Sequence, residues 1–365
     1  MKKLLNIGIA LSGGGIRAMI FHLGVFKWLA ENKMLEQVKR VSSVSGARLC
    51  VGMIYAHNNL KWPTSDEFTA VLSSIIEALQ TDLQSSAIRK LIVSPSYWNK
   101  KVNIVARVLE SKWGVHGKLS QLAGNISWYV NCTTYETGKR FRFCKENMGD
   151  YIVGYVNKPD ISISEVMAAS AGFPAFIGPY RLKTGNYQWK PSKYSEETRQ
   201  PLATKTLHLW DGGVYDNLGL ESVFKPDDGG TLSEGINFLI VSNASASIGL
   251  QTRKGTRPLK NLKRILDIAM DQVAALRSRL VMDFIKRTGK GMYIKIGKSA
   301  EIIATESKCS EELKNQLIKR CISREQATKA MYYATTLKKP IETDIQLLLR
   351  HGYEVADCTY NCYQN

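Results

Sequence analysis

No stretch of the chain holds 18 consecutive apolar residues, so no membrane-spanning helix is expected, and any membrane contact is peripheral. Cysteine is sparse: Cys50, Cys132, Cys144, Cys309, Cys321, Cys358 and Cys362 are odd in number and form no CxxC or CxxH pair. That spacing argues against a zinc site or a disulfide framework and fits a reducing compartment. Targeting signals are missing as well. Lys2 and Lys3 followed by Leu4–Leu11 imitate a signal peptide, but no small-x-small cleavage site follows. The last four residues, Cys362-Tyr363-Gln364-Asn365, formally read C-a-a-X, yet Gln364 is not aliphatic and Asn365 is an atypical end, which excludes prenylation. Negative charge is in short supply: 50 Lys and Arg stand against 32 Asp and Glu, a balance of +18. An excess of this size suggests an anionic partner, either acidic lipid headgroups or nucleic acid.

The 365 residues are 44% hydrophobic and 22% charged, which excludes a disordered chain, a collagen or a coiled coil. Length allows two domains or one large α/β domain. Residues 4–11 form a short apolar run of strand length. Residues 17–31 repeat apolar side chains at helical steps (Phe21, Val25, Trp28, Leu29), with Gly24 as an interruption. A second strand over 39–45 leads through Gly46-Ala47 into an apolar helix over 48–57. This alternation predicts a mainly parallel sheet.

Residues 60–120 break the alternation. They read as a helical insertion with helices over 67–80 and 101–111, placed to cover a site at the elbow before them. Strands are predicted at 127–134, 139–144, 206–211, 236–242 and 291–297, and a small-residue helix at 163–171. Residues 183–205 read as an irregular surface loop. A long amphipathic helix covers 258–288, and the chain beyond 310 reads as helical.

Three segments carry chemistry. Gly13-Gly14-Gly15-Ile16-Arg17-Ala18 follows a strand and opens a helix. It fits a dinucleotide fingerprint, an oxyanion hole made of backbone N–H groups, or a plain packing turn. The dinucleotide reading lacks an acidic residue after the next strand, where Arg48 would meet at best a 2′-phosphate. Ser43-Val44-Ser45-Gly46-Ala47 fits a nucleophile elbow whose two outer glycines are replaced by other small residues. An N-capping serine is the bland alternative. Leu207-His208-Leu209-Trp210-Asp211-Gly212-Gly213 is a strand ending in a carboxylate. His208 and Asp211 fall on opposite faces of that strand. His22 lies about 140° around its helix from Arg17, taking 3.6 residues per turn. Neither histidine is well placed as a base, which leaves Ser45 and Asp211 as a pair.

Taken in order, these segments resemble the patatin-like phospholipase family, which carries G-G-G-x-R, a serine elbow and D-G-G/A. Met167-Ala168-Ala169-Ser170-Ala171-Gly172-Phe173-Pro174 resembles the small-residue helix and F-P step of that family. The likeness spans about residues 4–245. It implies a three-layer α/β/α fold with a mainly parallel central sheet, in a domain over 1–297 with a helical extension over 298–365. It implies a serine lipid acyl hydrolase with a Ser45–Asp211 dyad, oxyanion donors among Gly13, Gly14, Gly15 and Gly46, and Arg17 as an orienting residue or a headgroup contact. It implies no metal and no cofactor, and a lipid ester substrate. The cysteine usage predicts a cytoplasmic protein, and the excess of Lys and Arg predicts peripheral, electrostatic contact with anionic membranes. Two alternatives stay open: a catalytically impaired lipid-binding or signalling member, and an NADP-type enzyme.

Segment 251–290 holds 11 Lys and Arg against Asp267, Asp271 and Asp283, so 11 − 3 = +8. Leu262, Ile265, Leu266, Ala269 and Met270 share a face. That face is expected to dock on the core, leaving the basic face for anionic lipid. Aromatic residues interleave poorly with the arginines, which weakens a nucleic-acid role.

Overall fold

Strand β1 (Ile7–Leu11) is buried on both faces, as its unbroken apolar run requires in a parallel sheet covered by helices. The computed structural model describes residues 5–80, 101–169, 179–192, 204–227, 229–246, 248–249, 258–335 and 339–363. The strands that follow are β2 (Val38–Val44), β3 (Ser127–Thr134), β4 (Arg140–Phe143), β5 (Asn147–Asp150), β6 (Gly154–Asn157), β7 (Tyr180–Lys183), β8 (Trp189–Lys190), β9 (Thr206–Asp211), β10 (Phe224–Lys225), β11 (Thr231–Leu232), β12 (Phe238–Asn243) and β13 (Gly291–Lys295). The helices are α1 (Gly15–Glu31), α2 (Gly46–Ala56), α3 (Phe68–Gln80), α4 (Lys101–Trp113), α5 (Ile163–Ala169), α6 (Gly213–Asp216), α7 (Pro258–Thr288), α8 (Ala300–Ser307), α9 (Glu311–Arg320), α10 (Arg324–Met331) and α11 (Glu342–Tyr363).

Eleven strands form one mixed sheet. Its path runs β13-β12-β1-β2-β3-β4-β5-β6-β8, with β9 and β7 joined at β3. The five strands β13, β12, β1, β2 and β3 are parallel, and everything beyond β3 is antiparallel. The predicted parallel centre is therefore present. The antiparallel wing β5–β8 is the part that periodicity did not reveal. Its strands are only two to four residues long.

Side-chain alternation separates the layers. Ile7, Ile9, Leu11 and Ile240 join the larger core with α1, α2, α3 and α11, whereas Ala10, Leu239 and Val241 face a second cluster with Val281 and Phe284 of α7. Two successive residues of a strand point to opposite faces, so helices must cover both. Among the described residues no helix is long and apolar enough to cross a membrane.

Gly24, an apparent blemish in α1, has a packing reason. A side chain there would run into the backbone of Leu349 and Tyr353 on α11, and one at Gly352 would run into Phe21. The two helices cross with glycine on each side of the contact, so residues far apart in sequence share one core. Gly24→Val must push the helices apart, and overpacking of this kind costs about 1–3 kcal/mol or more. Thermal melts should show a fall of several degrees for Gly24→Val and none for Gly185→Ala, whose added methyl meets nothing within 4 Å. Equal midpoints for the two variants would contradict this packing.

Candidate active site

Two strand ends meet head to head. β2 runs parallel to β3 as far as the pair Val44↔Asn131. Beyond it, β9 takes the edge of β3 that β2 has left, pairing antiparallel with Cys132–Thr134, while β4 holds the other edge. The last residue of β2 leads into Ser45, and the last residue of β9 is Asp211. Residues 166 positions apart are thereby neighbours.

Ser45 has φ 48 and ψ −122 at the N-cap of α2. A serine at positive φ outside the left-handed helical well is strained, and such strain concentrates where a side chain must be presented. The elbow therefore forms despite its altered outer positions. Ser43 takes the place of a glycine with its hydroxyl accepting the Trp128 Nε1–H at 2.9 Å, and Ala47 is fully buried in the core. A Cβ at Gly46 would run into the backbone of Gly15, so the glycine loop lies directly against the elbow.

The loop glycines differ in what they offer. Gly14 and Gly15 sit at φ 147 and 64, and their N–H groups carry no hydrogen bond among the described residues. Gly14 is the N-cap of α1 and Gly15 its first residue, where orphan N–H groups and the helix dipole favour negative charge. Gly13 is a correction to the predicted donor set, because its N–H is spent on the Asn217 carbonyl at 3.1 Å. Gly13 is needed for space: a Cβ there would lie 2.5 Å from Asn217 Oδ1 and 2.9 Å from Ser45 Cβ.

Asp211 is buried and accepts hydrogen bonds from the Ser45 hydroxyl and, at 2.8 Å on Oδ1, from the Gly213 N–H. Burial pushes its carboxyl above the ordinary carboxylate range, and the Arg48 guanidinium and these two hydrogen bonds pull it back. Arg48 is a residue that the motifs did not single out for this site. It is buried on α2, three positions after Ser45, and its Nε donates to the Met167 carbonyl. Among the described residues its Nη1 has no hydrogen-bond partner. A lone arginine in an apolar helix is the only sequence signal it leaves. Asn217 was also missed. It closes the end of α6 and donates from Nδ2 to Ser245 Oγ at 2.9 Å, beside the glycine loop.

Arg17 is 4% exposed, and burial lowers its pKa to about 10. Nε donates to the Ala244 carbonyl at 3.1 Å and Nη1 to the Tyr333 carbonyl at 2.7 Å, so Arg17 ties the loop to the end of β12 and to the C-terminal region. Both histidines are elsewhere. His22 is buried between Ser242 Oγ (2.9 Å) and the Ser12 carbonyl (3.0 Å), and burial lowers its pKa to about 4. His208 pairs with Glu136 at 2.6 Å, while Leu207, Leu209 and Asp211 form the buried face of β9.

A cavity of about 320 Å3 opens at Ser45 and Asp211. Gly13, Gly14, Arg17, Asn217 and Ser245 form one side. Arg264, Asp267, Met270, Asp271 and Ala274 of α7 form the other. Residues 60–120 were expected to cover the serine, but their described parts contribute nothing to this lining. The apolar stripe of α3 (Phe68, Val71, Leu72, Ile75, Leu79) is spent on the core, and residues 81–100 lie outside the described residues. The roof is α7. Its C-terminal half is fixed by Val281 and Phe284 in the second core cluster, and by Arg277 bridging Asp216 (3.4 Å) and Glu221 (2.8 Å). Its N-terminal half lies over the cavity. The face expected to dock is therefore not the one that docks: Leu262 and Ile265 are 64% and 63% exposed.

The sequence matches the family model for patatin-like phospholipases over residues 9–224. Human GIVD cytosolic phospholipase A2 has a similar fold, with a TM-score of 0.54 and 12% identity, over 99% of this chain and 63% of that one. This chain thus spans less than two thirds of the human protein. VipD from Legionella pneumophila aligns with a TM-score of 0.43 and 13% identity, over 99% of this chain and 67% of its own. No curated protein sequence matches significantly.

Proposed function

The chain belongs to the patatin-like phospholipase family, and from that premise we propose that it is a serine lipid acyl hydrolase working through Ser45 and Asp211. The observation that carries the proposal is the Ser45 hydroxyl, strained at the elbow and hydrogen-bonded to the buried Asp211 carboxylate. Asp211 takes the proton as Ser45 Oγ attacks the ester carbonyl carbon. The N–H groups of Gly14, Gly15 and Gly46 then hold the oxyanion. Collapse expels the lipid alcohol, which takes the proton from Asp211, and leaves an acyl-Ser45. Water gives a proton to Asp211 as its oxygen attacks the acyl carbonyl; the second oxyanion collapses, the bond to Ser45 Oγ breaks, Oγ takes the proton back from Asp211, and the fatty acid leaves. Arg17 orients the loop that supplies two of the donors.

Two readings recede on this geometry. A catalytically impaired elbow is disfavoured by the backbone that Ser45 adopts. A dinucleotide site is disfavoured by the loop, which packs against Ser45 and Gly46. The test is fatty-acid release from phospholipid vesicles. The wild type should release it and Ser45→Ala should not; equal release by both would refute the proposal.

Arg48 acts here by holding Asp211 ionised. The base works only as the carboxylate, so activity falls as pH drops through its pKa. Removing the nearby positive charge raises that pKa, because the guanidinium favours the charged form of the carboxyl. Arg48→Met should therefore move the acid limb of kcat/KM on a soluble ester to higher pH, and Arg48→Lys should move it less. An unmoved limb with a lowered plateau would show Arg48 to be purely structural.

A further inference from the structure

Among the described residues twelve large apolar side chains are exposed, and six of them lie on α7: Leu262, Ile265, Ile268, Val273, Leu276 and Leu280. At 3.6 residues per turn, five of the six fall within an arc of about 80°, and Ile268 lies about 60° beyond. The stripe from Leu262 to Leu280 is about 27 Å long at 1.5 Å per residue. The helix face that roofs the cavity lies opposite. One helix thus covers the candidate active site on its inner side and presents a continuous apolar stripe on its outer side. A stripe of this size on one element marks an interaction surface.

Charge identifies the partner. Helix α7, which carries the stripe, holds 7 Lys and Arg against 3 Asp, so 7 − 3 = +4, within a segment 251–290 of +8. Asp267 and Asp271 line the cavity on the inner side, and Asp283 is bridged to Arg287 at 2.7 Å. Arg279, Lys286 and Arg287 are exposed on the outer side. A second copy of the chain would bring a second basic helix against the first, whereas an anionic surface neutralises it. An apolar stripe with flanking Lys and Arg is the pattern of a helix lying in a lipid interface.

We propose that the outer face of α7 docks on an anionic phospholipid bilayer, with its apolar stripe inserted among the acyl chains and its Lys and Arg against the lipid phosphates. The consequence for substrate delivery rests on the hydrolase reading. With α7 in the interface, the cavity lies about one helix diameter, 10–12 Å, from the headgroups. Docking thus has an apolar component in addition to the electrostatic attraction expected from composition. Screening shortens to about 8 Å at 0.15 M salt, so attraction alone weakens steeply there, whereas insertion persists.

The experiment compares the wild type with a triple variant, Leu262→Gln, Ile265→Gln and Leu276→Gln, at exposed positions, with thermal melts as the folding control. Binding is measured by co-sedimentation with phosphatidylcholine vesicles, with and without phosphatidylserine, at 0.15 M salt. The wild type should prefer the anionic vesicles, and the variant should bind them roughly tenfold or more weakly, since each buried methylene counts in such anchoring. Wild-type-like binding by a folded triple variant would overturn the proposal. So would equal wild-type binding to neutral and anionic vesicles. A wild-type dimer that the triple variant turns into a monomer, with vesicle binding unaltered, would assign the stripe to a second copy instead. Wild-type hydrolysis of a short soluble ester is scored separately: its absence would refute the hydrolase reading and leave the docking result standing.

Discussion

Ser45→Ala and Asp211→Ala are each expected to lower kcat by several orders of magnitude, and the double variant is expected to be little worse than either. Ser45→Ala removes the attacking oxygen. Asp211→Ala leaves that oxygen with no base, because His22 is buried between Ser242 and Ser12 and His208 is paired with Glu136. Groups that act as one unit show this strong non-additivity. Steady-state hydrolysis of a short-chain ester by the four proteins, with melts to confirm folding, is the measurement. Effects that multiply in the double variant would mean that the two residues serve separate steps. Near-normal activity in Asp211→Ala, with loss in Ser45→Ala, would place the base elsewhere.

Gly14→Ala should lower kcat by about 10²–10³, the usual effect of losing one oxyanion donor. Gly14 sits at φ 147, a conformation that a side chain rarely adopts. An added Cβ would also lie 3.1 Å from the Ala244 carbonyl and from Ala18 Cβ. The loop must shift, and its N–H groups shift with it, while the Ser45–Asp211 pair stays intact. The loss should therefore appear in kcat far more than in KM. The serine should still react with an acylating probe, only more slowly. A rise in KM with kcat preserved would make the loop a binding element and not an oxyanion element.

The centre of this fold is legible because its signals are local. The apolar run ending at Leu11, the small residues around Ser45 and the alternation ending at Asp211 each state an element and its end within ten residues. The wing from β5 to β8 is not legible, since strands of two to four residues carry no period. α7 shows a different limit. Its apolar face is plain in the sequence, but amphipathicity says only that the face exists. Which way it points is decided by Val281 and Phe284 in the C-terminal half and by Arg277 between Asp216 and Glu221. Gly13 fell out of the donor set for a similar reason: its N–H meets the carbonyl of Asn217, about two hundred residues away. Arg48 is invisible as a neighbour of Asp211 until β9 is seen to continue the edge that β2 leaves.

Hydrolysis through the dyad requires Ser45 to be an activated nucleophile, and a fluorophosphonate probe followed by peptide mass spectrometry measures this directly. The prediction is one adduct per chain on the peptide holding Ser45, none in Ser45→Ala, and much slower labelling in Asp211→Ala. No adduct on a folded wild-type protein, or an adduct at another serine that survives Ser45→Ala, would contradict it.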